Sequence, residues 1–120
     1  MASFIWELNC GARPITTQGN SSAILRFCTR ELSKGWPVIL GWRSRHGAHA
    51  ALAVGIEGRR HTRRFAPHAL LLLDPAESEP ALASANARLE LGKRKPFLVT
   101  SAAVQPVTLE GAVSIRLKPP

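Results

Sequence analysis

Two hydrophobic periods divide the chain. From Ser21 onward Ile24, Leu25, Cys28 and Leu32 recur at three- and four-residue spacing, with Phe27 flanking them and Arg26, Arg30 and Lys34 on the other side. That is the period of a helix with one apolar face. Asn20, Ser21 or Ser22 can cap its start, and Gly35 followed by Trp36-Pro37 ends it. The pattern predicts a helix over 21–34.

Beyond Pro37 the period becomes that of strands. "PVILGWR", "HAALAVGIE" and "ALLLLDP" are short apolar runs bounded by Gly, Pro and charged turns. Runs so uniformly apolar read as central strands covered on both faces. In "ARLEL", Leu89 and Leu91 alternate with Arg88 and Glu90. "PFLVTS" follows the basic turn "GKRK", and in "AVSIRLK" Val113, Ile115 and Leu117 alternate with Ser114 and Arg116. The connector "PAESEPALASAN" is polar and bounded by prolines. Residues 1–20 carry little periodicity and contain Gly11, Pro14 and Gly19, so they read as an irregular or extended arm.

One helix followed by five to six short-linked strands predicts an α+β fold. A single domain over 1–120 would pack one amphipathic helix on an antiparallel sheet spanning 37–117. Little chain remains to cover the second face of that sheet.

Composition narrows the functional classes. A hydrophobic fraction of 45% with 20% charged residues is that of a globular chain. No stretch approaches the roughly 20 apolar residues of a membrane span, and the first residues lack the basic region of a signal peptide, so the default expectation is a cytoplasmic protein. The net charge is +8, with basic clusters at Arg43 and Arg45, at Arg59, Arg60, Arg63 and Arg64, and at Lys93, Arg94 and Lys95. Such clusters serve an anionic or nucleic-acid partner, or simply lie in solvated turns. Cys10 and Cys28 are the only cysteines. No cysteine pair has metal-finger spacing, and Gly47 argues against a helical His46–His49 metal pair, so neither a metal nor a cofactor is expected.

The candidate chemistry lies at one end of the apolar runs. If "EGRRHTRRFA" is the loop of a hairpin centred between His61 and Thr62, Ala50 lies opposite Leu73 and His49 opposite Asp74. Opposed side chains have Cβ atoms about 5 Å apart. An imidazole beside a carboxylate gains a fixed tautomer and becomes a general base once a thiol or hydroxyl is in reach. From spacing alone, a plainer account also holds, in which His49 opens a strand and Asp74-Pro75 is the turn that stops one.

The string from Gly35-Trp36-Pro37-Val38-Ile39-Leu40 through His49 and Gly55 to Asp74-Pro75 resembles the second half of papain-like cysteine peptidases. It is most similar to the bacterial branch related to peptidases that process double-glycine leaders of bacteriocins. The resemblance covers roughly residues 21–117. It implies the sheet lobe of a papain-like fold, with His49 as catalytic base, Asp74 as its orienter and a peptide as substrate. The family's nucleophilic cysteine opens a long helix and follows a glutamine. Cys28 instead falls mid-helix on the apolar face, and Cys10 precedes Pro14 and Gly19 with no glutamine ahead of it. Cys10 is nevertheless the better candidate of the two.

Three functions remain in view. The first is peptide or amide hydrolysis by acyl transfer at Cys10, His49 and Asp74, in a domain whose nucleophile lobe is absent. The second is a non-catalytic module whose exposed sheet face is covered by a protein partner or by a second copy as a homodimer. The third is a small basic nucleic-acid-binding protein. The last lacks an aromatic ladder, having no Tyr and 6% aromatic residues.

Overall fold

The computed structural model describes residues 10–16, 21–77, 85–91 and 95–117. The helix, α1, spans Ser21–Ser33. It ends on Gly35 (φ +87°), with the Gly35 N–H donating to Leu32 O at 3.0 Å and the Trp36 N–H to Glu31 O at 3.0 Å. This paired closure is the Schellman arrangement.

The face that α1 buries is Ile24, Phe27, Cys28 and Glu31. The sequence pattern predicts Leu25 and Leu32 there instead, but both are only half-buried at the edge of the core. Glu31 rotates the face because Ser114 and Arg116 present partners for its carboxylate. Its Oε1 accepts from Ser114 Oγ at 2.8 Å and from Arg116 Nε at 3.0 Å. A buried charge is tolerated when it is paired and hydrogen-bonded in this way.

The strands are β1 Cys10–Thr16, β2 Val38–Ser44, β3 Gly47–His61, β4 Arg64–Leu73, β5 Ala87–Glu90, β6 Phe97–Val99, β7 Val104–Pro106 and β8 Thr108–Leu117. They form one antiparallel sheet in the order β1-β8-β2-β3-β4-β5-β6-β7. The α+β class holds, and the sheet is larger than the five to six strands expected. The additions are β7 and, within the arm expected over 1–20, β1. Pro14 and Gly11 hide β1 in the sequence, but at an edge a proline removes no ladder bond the sheet needs.

The sheet curls. Its inner face carries Val38, Leu40 and Trp42 of β2, Leu70 and Leu72 of β4, and Leu89, Leu98 and Leu109, packed against Ile24, Phe27 and Cys28 of α1. On the opposite face Ile39, Ala50, Leu52 and Leu73 remain half-buried around a shallow depression of about 600 Å³. Among the described residues no helix is long and apolar enough to cross a membrane.

The long basic loop expected between the second and third apolar runs is instead paired strand. β3 and β4 continue to His61 opposite Arg64, leaving only Thr62 and Arg63 as the turn. The register near the site is therefore shifted by two: Leu52, not Ala50, lies opposite Leu73. Two residues is one full strand repeat, so His49 and Asp74 keep a common face.

Candidate functional site

His49 owes its place to the tight turn between β2 and β3. Ser44 pairs with Gly47, whose φ of +104° is a backbone conformation glycine adopts without strain. Counting back from that turn sets Trp42 opposite His49. The two rings meet edge to face, 5.2 Å between centroids at 61°. Trp42 is fully buried and fixes one side of the imidazole, while the His49 side chain remains 37% exposed.

Asp74 follows the last residue of β4 and is 3% exposed. Its Oδ1 lies 2.8 Å from His49 Nε2 and accepts the Ala76 N–H at 2.9 Å. Asn86, just ahead of β5, clamps the same residue from the backbone side. The Asp74 N–H donates to Asn86 Oδ1 at 2.7 Å, and Asn86 Nδ2 donates to Asp74 O at 3.0 Å. The turn account and the orienting account of Asp74 are thus compatible. One oxygen closes the Asx turn at Pro75 and also holds the histidine.

This arrangement selects a tautomer. An ionised carboxylate oxygen only accepts, so the proton between the two groups belongs to His49 Nε2. Nδ1 is left with its lone pair, and it has no hydrogen-bond partner among the described residues. The ring lines a cleft of about 180 Å³ with Trp42, Ser44, His46, Leu98 and Gln105. An imidazole held in one orientation beside an open space is able to act as a general base.

The sequence-predicted nucleophile is not brought to it. Cys10 pairs with Leu117, whereas His49 sits level with Trp42 and Leu109, three strands away in the sheet order. Leu109 and Leu117 lie at opposite ends of β8, about 26 Å apart at the usual rise of 3.3 Å per residue. Cys10 and His49 therefore do not form a catalytic pair in this fold. Cys28 is no substitute, because it lies fully buried on α1 and burial pushes its thiol up to about 12. No three His, Cys, Asp or Glu side chains converge as a metal centre requires among the described residues.

No family model matches this chain, and no match was found to a curated protein or to a solved structure.

Sequence reasoning passed over Trp42 and Asn86. The first was within reach, because the tight Ser44–Gly47 turn fixes its partner by counting. Asn86 carried no signal, being one polar residue among many in the connector from Pro75 to β5.

Proposed function

We propose that this chain is a papain-like, cysteine-peptidase-related domain that keeps the base of an acyl-transfer site and receives its thiol from outside this sequence. The supporting observation is the 2.8 Å contact of His49 Nε2 with an Asp74 oxygen that is itself fixed by the Ala76 N–H. In this reading a thiol entering the cleft gives its proton to His49 Nδ1, and the thiolate attacks a peptide or amide carbonyl. The tetrahedral intermediate expels the amine, which takes the proton from His49, leaving a thioester. Water, deprotonated by the same nitrogen, then releases the acid and regenerates the thiol.

Two measurements test this. With a thiol-reactive electrophile, Cys10 labels at the same rate in the native protein and in His49→Ala, and Cys28 does not label. With a small thiol added in trans, cleavage of an activated peptide amide depends on both the thiol and His49. Rapid Cys10 labelling that His49→Ala abolishes would place the nucleophile within this chain, and thiol-dependent cleavage unchanged in His49→Ala would remove the base.

A second reading has its own support in the sheet's outer face. The half-buried apolar surface around Ile39, Leu52 and Leu73 is of the kind that protein-binding modules use. Sizing across a concentration series tests self-association at that face.

A further inference from the structure

Beside the His49 cleft lies a second one, of about 480 Å³, lined by Arg43, Ser44, Arg45, Lys95, Gln105 and Thr108 among others. Ser44 and Gln105 line both clefts, so the two share a wall. The curl of the sheet builds this place by bringing β7 and Lys95, two residues ahead of β6, against the end of β2. Residues from distant parts of the chain thereby put three cations around one recess.

The charges in this recess are poorly compensated. Arg43 Nε lies 2.7 Å from Glu110 Oε1, an exposed ion pair in which the two side chains are 61% and 46% exposed. Arg45 Nε donates only to His46 Nε2, at 3.3 Å, and neither Arg45 nor Lys95 has an acidic partner among the described residues. Glu77 lines the His49 cleft but not this one. A concave site with surplus positive charge concentrates anions, and arginine matches a carboxylate with paired N–H donors. Ser44, Gln105 and Thr108 add uncharged side chains able to hydrogen-bond to carboxylate oxygens.

We propose that this cleft is a recognition subsite for an acidic side chain of a peptide, and that the peptide's neighbouring amide lies at His49. The second half of that statement rests on the proposed function. The first half does not, and can be tested apart from it.

The test measures binding of a fluorescein-labelled glutamate-rich peptide to His49→Ala, which has lost the base but keeps this cleft intact. A glutamine-rich peptide of the same length and a mixed-sequence single-stranded oligonucleotide serve as comparisons. The glutamate peptide is expected to bind at low ionic strength, to weaken as salt rises, and to outbind both comparisons. Arg45→Ala and Lys95→Ala should each weaken it about two- to five-fold, the range of exposed ion pairs. Glu110→Gln should strengthen it by a similar factor, because it frees Arg43. Equal binding of the glutamate and glutamine peptides, tighter binding of the oligonucleotide, or indifference to all three substitutions would overturn the assignment. Thermal unfolding of each variant confirms that these exposed changes leave the fold intact.

Discussion

His49 reaches Asp74 across a diagonal of the β3–β4 hairpin. Nε2 and Oδ1 are 2.8 Å apart although Leu52 is the residue opposite Leu73. Diagonal neighbours on one face of an antiparallel pair lie about 7–8 Å apart, close enough for long side chains to bridge. Asp74 must therefore be held firmly from behind, and Asn86 does this.

Asn86→Ala removes both hydrogen bonds that clamp the Asp74 backbone. The expected cost is about 1–3 kcal/mol of stability, because two partly buried backbone groups lose their partners. Urea unfolding measures it. Thiol-dependent cleavage should fall as well, since the carboxylate loses its support while His49 is untouched.

Cys28 makes the protein sensitive to alkali. Its folded pKa is raised by burial from 9.0 to about 12. Between those values the unfolded chain releases the thiol proton and the folded chain keeps it, so stability is intact below pH 9.0 and declines toward pH 12. Cys28→Ala should flatten this decline over that interval in denaturation curves taken across pH. In the native protein at neutral pH, Cys28 should react with a thiol reagent only after unfolding.

Glu31 acts in acid. Burial raises its pKa, but hydrogen bonds from Ser114 and Arg116 and the charges of Arg116 and Lys34 outweigh that, and the net shift is below the ordinary value of 4.5. A lowered folded pKa means that the unfolded state takes up the proton first as pH falls. The contribution is complete above 4.5 and is lost as pH drops from there through the folded value. Glu31→Gln should remove about 1.5–3 kcal/mol at neutral pH, the range for hydrogen bonds to a charged group. It should also shrink the acid-limb loss of stability, as read from unfolding midpoints.

Gly58 sits where the register of β3 against β4 shifts. A Cβ there would lie 2.4 Å from Ala66 O and 2.8 Å from Pro67 Cα, both backbone atoms that cannot rotate away. Gly58→Ala should therefore cost about 1–3 kcal/mol, as overpacking does. Because it acts far from His49, it should lower the thermal midpoint without changing His49-dependent chemistry at temperatures where the variant is folded.

The elements that could be read from the sequence were those whose signals are local. Capping and Gly35 placed α1, and the apolar runs placed β2, β3 and β4. What escaped depends on contacts distant in sequence. Nothing local marks Glu31 as buried, because its partners Ser114 and Arg116 lie more than eighty residues away. Pro14 and Gly11 conceal β1 because only its pairing with β8 makes it a strand. The arginines of the β3–β4 tip look like a loop, yet ladder bonds carry them to a two-residue turn. At the site, a symmetric hairpin sets His49 beside Asp74, with the plain turn account equally open, and the observed register is two residues from the symmetric one. A strand repeats every two residues, so that difference leaves both side chains on the same face.

The imidazole nitrogens of His49 test the central claim most directly. In ¹⁵N-labelled protein, long-range proton–nitrogen correlation spectra distinguish a protonated ring nitrogen from one with a free lone pair. Neutral His49 should carry its proton on Nε2, with Nδ1 unprotonated, and Asp74→Ala should abolish that preference. A proton found on Nδ1, or nitrogen shifts unchanged by Asp74→Ala, would contradict an oriented base at this site.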